Sequence, residues 1–462
     1  MNEQQAFEQI VAESVSSVGP LAPSEGAIER TIERVGRKRQ RHEWLALIKE
    51  PPMRTTSGLA AGSPTARVAA IMIATLLLAL LTLGAGIAGT RLLAAEDAII
   101  VTPDGSGDYT TISDAVTAAS DGDTILVRPG TYDEAVLLRK DVTIRGDGDP
   151  ADIVIERSGV LPSGLGKWGD PALPYAFRFE QSDAGLENLT FRGEASRISL
   201  SGGSPTLDGL ALHGLGAFGG DAQEHDVRGT WMAGVELMDG TTASLKDSDI
   251  VDTHIVIDTA ASPTLEANHI RGGWALIQGD GVAPLVQGNE FEGSLYESVW
   301  VGGGATPEIV ANSFSNASAA CVYVNDALRW PSGPNRAGTD PSVRGNSFND
   351  CETGVFMVGW TSATIEDNDF GGSTIGIRLD EEVDAVIASN VVHDGRTGVQ
   401  VLRGEPVLTD NSIAQNKVGL VLDRPAKPVM SGNVICDNET NVRLMARAEM
   451  PDTEANEICA DD

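Results

Sequence analysis

The chain has 462 residues, more than one ordinary core, and its 52 glycines with 5% aromatic content favour short strands and frequent turns over a helical bundle. Net charge is −33, and residues 96–462 carry nearly all of it, with 23 Lys/Arg against 58 Asp/Glu for a sum of −35. A surface this acidic excludes nucleic acid and anionic membrane surfaces as partners, and it admits a polyanionic glycan only through a bridging cation such as Ca²⁺.

Residues 1–67 are close to neutral, with nine Lys/Arg and eight Asp/Glu. Phe7, Ile10, Val11 and Val15 form one amphipathic stripe, and Ser24 is placed to cap a second helix carrying Ile28, Ile32 and Val35. The basic run RKRQRHEW then reads as a juxtamembrane segment or as a docking site for a cytoplasmic protein. Residues 50–66 have linker composition. Residues 68–89, VAAIMIATLLLALLTLGAGIAG, hold no charge, and about 20 apolar residues suffice to span a bilayer. Positive charge before this run exceeds that after it, so the sequence predicts a single transmembrane helix with a cytoplasmic N-terminus and residues 96–462 outside the cell membrane. Over residues 1–90 the layout is similar to membrane-anchored anti-sigma proteins, which implies a cytoplasmic partner for residues 1–67. The His and Cys zinc pattern of that family is absent, because His42 has no Cys nearby.

The stretch PDGSGDYTTISDAVTAASDGDTILVRPGTYDEAV begins at Pro103. It resembles the opening of pectin methylesterases and, more broadly, of the pectate-lyase-like superfamily of right-handed parallel β-helices. That resemblance implies a short capping helix, expected over residues 111–120 with Ile112, Ala115, Val116 and Ala119 inward.

Downstream, one line recurs, as in PTLEANHI, PLVQGNEF, PEIVANSF and PVLTDNSI. Its asparagines are Asn268, Asn289, Asn312, Asn346, Asn368, Asn390, Asn411 and Asn433, spaced by 21, 23, 34, 22, 22, 21 and 22. A period near 22 with alternating apolar residues predicts an all-β fold, a β-solenoid of roughly ten to twelve rungs, and the resemblance implies that it is a right-handed parallel β-helix. The asparagines are expected at sharp turns, in left-handed backbone geometry, with their amides stacked as a structural ladder.

A second recurring run follows a small residue in each rung, as in GVEL, SVWV, CVYV, GVFM and GIRL. Its third residue should point outward. Down the stack this gives Arg178, Glu236, Val256, Ile277, Trp300, Tyr323, Phe356, Arg378, Gln400 and Val421. Trp300, Tyr323 and Phe356 thus form an outward aromatic strip ending at Arg378. Three insertions adjoin it, near residues 158–175, 214–230 and 325–339, and bring Lys167, Trp168, His225, Trp231, Arg329, Trp330 and Arg336. An aromatic strip walled by loops suits the faces of sugar rings in a cell-surface or environmental polysaccharide. The alternative is that the insertions pack over Trp300 and Tyr323 and hide an ordinary apolar patch.

The DFIFG, QAV and LGRPW segments of the esterases are absent, as is the polygalacturonase set. GIRLDEEVD offers Arg378 and Asp380 as a lyase-like base and partner, with Asp380, Glu381, Glu382 and Asp384 as Ca²⁺ ligands, or as a solvated turn. GDGDP at Gly146 reads as a turn, and the GxYxE of Gly130 to Glu134 as part of the fold. Cys321, Cys351, Cys436 and Cys459 all follow the predicted span, where disulfides form, and the pairs Cys321–Cys351 and Cys436–Cys459 are favoured. The sequence therefore describes a membrane-anchored, non-catalytic surface or carbohydrate-binding module, with a polysaccharide lyase or related carbohydrate-active enzyme and a transmembrane sensor coupled to a cytoplasmic partner as alternatives.

Overall fold

The computed structural model describes residues 98–158, 174–218, 231–325 and 338–461, apart from 360, 382, 424, 447, 452 and 453. Contacts divide the chain after Ile87, and all described residues lie in the unit Ala88–Asp462. The segment expected to be cytoplasmic, the expected membrane span and most of the three insertions, including Lys167, Trp168, His225, Arg329, Trp330 and Arg336, lie outside the described residues. Among the described residues, no helix is long and apolar enough to cross a membrane.

The chain winds into a parallel solenoid of three sheets with 14, 13 and 14 strands, about two to four rungs more than the repeat count predicts. Each rung contributes one strand to each sheet, for example Thr264–Glu266 to sheet I, His269–Arg271 to sheet III and Ala275–Gln278 to sheet II, in chain order. Inward residues alternate along every strand and meet in one continuous apolar core. Phe291, Phe314, Phe348 and Phe370 stack there with centroids 4.9, 5.0 and 4.5 Å apart.

The asparagine row forms the expected ladder, at the corner between sheets I and III. Asn312 donates from its backbone N–H and its Nδ2 to Asn346 Oδ1, at 2.8 and 3.0 Å, and Asn346 repeats this toward Asn368 at 2.9 and 3.0 Å. The row continues beyond Asn433 to Asn456, and a second ladder runs through Asn416, Asn438 and Asn441. One expectation is corrected. Left-handed backbone falls on the residue before each asparagine, such as Ala267, Ala311, Asp367, Ser389 and Asp410, with φ between 53° and 55°. The asparagine itself is buried and kept for its amide, which satisfies backbone groups that the corner would otherwise orphan.

The N-terminal end is plugged by helix α1, Ile112–Ala118, which buries Ile112, Ala115 and Val116. Its two ends are held by side chains from one later stretch. Glu134 accepts from the N–H groups of Ile112 and Ser113 at 2.8 and 2.7 Å. Lys140 donates to the carbonyls of Val116, Thr117 and Ala119 at 3.0, 2.7 and 2.6 Å. Charge of the right sign thus meets each end of the helix dipole. Tyr132 donates to Arg128 O at 2.8 Å, so the GxYxE motif ties the plug to the first rung. At the other end, Glu457–Ile458 pairs with Val434–Ile435. Disulfides join Cys436 to Cys459 and Cys321 to Cys351.

Candidate functional site

Sheet II carries the outward row. Its register runs Arg178, Ser199, Glu236, Val256, Leu276, Trp300, Tyr323, Phe356, Arg378, Gln400, Val421. Two corrections follow. Ser199 occupies a rung that the sequence reading skipped. Leu276, not Ile277, takes the outward position, and Ile277 lies fully in the core. The alanine of ALIQ resembles the small residue that opens each run, and a one-residue slip along a strand exchanges its two faces.

Trp300, Tyr323, Phe356 and Arg378 lie on consecutive rungs as expected. Their ring centroids are 5.6 and 5.2 Å apart, and the Arg378 guanidinium sits 4.7 Å above the Phe356 ring. They are not equally open. Trp300 is only 4% exposed and belongs to a second apolar cluster outside the solenoid wall, with Ala233, Met238, Val256, Trp274 and Leu276. Tyr323 and Phe356 are half-buried. The strip is therefore a shelf whose floor is tryptophan and whose accessible part is Tyr323 and Phe356. Asn325 donates to the Tyr323 hydroxyl at 2.6 Å. Burial pushes the Tyr323 phenol up to about 12, with Glu297, Asp380 and Glu381 adding to the rise, so it keeps its proton at neutral pH.

The row also holds a buried charge. Glu236 points outward yet is 2% exposed, and it pairs with Arg197, which is 3% exposed. Arg197 also donates to the carbonyls of Ala233 and Pro174 at 2.6 and 3.2 Å. Burial pulls the Arg197 pKa below its usual value, and Glu236 opposes that shift.

Arg378 pairs with Asp380 at 2.7 Å on the same strand. The other carboxylates of that run diverge. Glu381 is exposed at the bend, and Asp384 begins a strand of sheet I. Glu382 lies outside the described residues. Asp380, Glu381 and Asp384 do not form a gathering of candidate metal ligands among the described residues, where the only one is Cys436, Glu457 and Cys459. Those two sulfurs form a disulfide.

A cleft of about 400 Å³ opens where sheet III turns into sheet II, one rung from the shelf. It is lined by Trp274, Tyr296, Leu295, His254, Glu194 and Asp252, with glycines between them. Trp274 joins cleft to shelf: its ring lies 6.3 Å from Trp300 and 5.3 Å from His254. The sequence contains a signal for this cleft that the reading above missed. The corner position that opens each sheet II strand runs Gly234, His254, Trp274, Ser298, Cys321, Gly354, Gly376, Gly398 and Gly419. At Gly354, Gly376 and Gly398 a Cβ would come within 2.5 to 2.7 Å of the backbone of the next rung, so the corner is shut there. In the rungs of His254 and Trp274 the same position carries rings instead.

Residues 211–370 match the family model "Right handed beta helix region", and residues 331–458 match "Periplasmic copper-binding protein (NosD)". No curated protein sequence matches the chain. Among solved structures, the chain is similar to the catalytic unit of an alpha-1,3-glucanase from Streptomyces thermodiastaticus, with 13% identity, TM-score 0.46, and 72% of this chain and 68% of that chain covered. It is also similar to the A-module of a mannuronan C-5 epimerase from Azotobacter vinelandii, with 13% identity, TM-score 0.44, and 76% and 94% covered. A third is PfbA, a surface adhesin of Streptococcus pneumoniae, with 15% identity, TM-score 0.37, and 74% and 90% covered. These are likenesses of fold. Copper, which the second model's description implies, finds no free imidazole or thiolate among the described residues of 331–458. Copper sites gather imidazole, thiolate or thioether donors. The segment's one histidine, His393, is held between Asp369 and Asp394 at 2.9 and 2.7 Å, and its two cysteines, Cys351 and Cys436, are in disulfides.

Proposed function

We propose that the solenoid is a carbohydrate-binding module that does not turn over its ligand, held outside the cell membrane by a span at residues 68–89. The observation that carries this reading is the shelf: the half-buried Tyr323 packs against the buried Trp300, and the half-buried Phe356 stacks on Tyr323 from the next rung. Rings held by strand pairing with centroids 5.2 Å apart give an extended chain of sugars a preorganised apolar face, so little side-chain entropy is lost on binding. In this reading Arg378, stacked on Phe356 and paired with Asp380, extends the shelf as a hydrogen-bond donor.

A polysaccharide lyase is the second reading, and one observation favours it. Arg378 Nε and Asp380 Oδ1 are buried atoms with no hydrogen-bond partner among the described residues, and they sit two rungs from the protonated Tyr323. Incubating the full chain with neutral and acidic polysaccharides, with and without Ca²⁺, and weighing the products separates the two. The binding reading expects intact glycans under every condition. Unsaturated products lost in Arg378→Ala would establish the lyase. A cytoplasmic partner for residues 1–67 is a separate proposal, tested by pull-down with the full chain and with a chain lacking those residues.

A further inference from the structure

The cleft beside the shelf has a chemistry of its own. Its lining pairs the Trp274 and Tyr296 rings with the exposed carboxylates of Glu194 and Asp252. Leu295 stands at its rim, 71% exposed, one of the largest apolar exposures on the described surface. Among the described lining residues there is no lysine or arginine. His254 adds no positive charge, because burial pushes its pKa down to about 4 and leaves it neutral at pH 7. The field around the cleft is negative as well, since residues 96–462 sum to −35. Such a site repels carboxylated and sulfated ligands. It attracts an ammonium group, which gains from the carboxylates by Coulomb attraction and from the aromatic faces by cation–π contact.

We propose that this cleft selects a ligand bearing a protonated primary amine, and specifically the amino group of an amino sugar, with the ammonium at Glu194 or Asp252 and the ring of the sugar against the half-buried Tyr296. The sugar part of this inference rests on the glycan-binding reading above; the ammonium part rests on the cleft alone. The position of Trp274, stacked on Trp300 at the head of the shelf, would orient a chain whose first amine is seated in the cleft and whose later rings run toward Tyr323 and Phe356.

The test uses the full chain in detergent and calorimetric titration with four probes: a glucosamine tetramer, its fully N-acetylated counterpart, a mannuronate tetramer and tetramethylammonium. The glucosamine tetramer is expected to bind at least about tenfold more tightly than the acetylated one, a difference of about 1.4 kcal/mol. Mannuronate is expected not to bind. Glu194→Gln with Asp252→Asn is expected to remove most of the glucosamine advantage, with an unchanged melting temperature. Equal binding of the amine and acetylated tetramers, unaffected by the double substitution, would overturn the ammonium selection and leave the glycan reading in place. Binding of tetramethylammonium alone, lost in the double variant, would support the cleft's selectivity while overturning its sugar part. Binding of none of the four would overturn the whole inference.

Discussion

Trp274 stacks on Trp300 across adjacent rungs, with ring centroids 6.3 Å apart and planes inclined by 28°. Both side chains project from the outer face of the wall, yet they are only 3% and 4% exposed. An outward position on a strand is thus not the same as a contact surface.

This separates floor from contact. Trp300→Ala should destabilise the domain by about 3–5 kcal/mol, as loss of a large buried aromatic does. Tyr323→Ala should cost less stability and more affinity. Thermal melts and glycan titrations on the two variants, side by side, check the division; equal losses of stability would undo it.

Asparagine stacking predicts an asymmetric pair of substitutions. Asn346→Ala removes the acceptor for two Asn312 donors and the donor to Ile309 O and Asn368 Oδ1. With about 1–3 kcal/mol for each buried group left unpaired, the loss should be at least about 3 kcal/mol. Ala311→Gly is different. Its left-handed φ of 54° costs an alanine about 1–2 kcal/mol, against about 0.4–1 kcal/mol of extra chain entropy for glycine. That change should be neutral or slightly stabilising in chemical denaturation.

Much of this fold is legible in the sequence because its period repeats. Each PxLxxN line marks a corner, and each small-residue run marks a strand of sheet II. The ladder's asparagines stand five residues after the start of each line, as Asn268 does after Pro263 and Asn312 after Pro307. What escapes is whatever depends on a neighbouring rung. Glu236 reads as an exposed outward acid until Arg197, 39 residues earlier, is placed against it. The cleft escapes because its lining comes from corners of five rungs, between Glu194 and Tyr296. Trp274 was one residue outside the run that the pattern selected.

The Arg197–Glu236 pair gives a sharp expectation. Both side chains are about 3% exposed, so removing one charge strands the other in the wall. Glu236→Ala should cost about 3–5 kcal/mol. Replacing both residues with apolar ones of similar size should cost much less. Denaturant unfolding of the single and double variants checks this.

His254 supplies a pH dependence. Burial lowers its pKa from 6.5 to about 4 in the folded chain. Between those values the unfolded chain binds more protons. The contribution to stability is therefore complete above about pH 6.5 and is lost as pH falls toward 4. At about 1.4 kcal/mol per unit, His254→Gln should lessen the acid destabilisation between pH 7 and 4.5 by about 2–3 kcal/mol. Identical acid profiles for the two proteins would show that His254 is not held neutral.

The most direct test of the account is retention of the full chain on immobilised polysaccharides, with the eluted glycans weighed by mass spectrometry. The account predicts that the chain is retained, that the glycans emerge intact, and that Tyr323→Ala with Phe356→Ala is no longer retained although it still unfolds in one cooperative transition well above the temperature of the assay. Undiminished retention of that variant, or shortened or unsaturated glycans in the eluate, would contradict it.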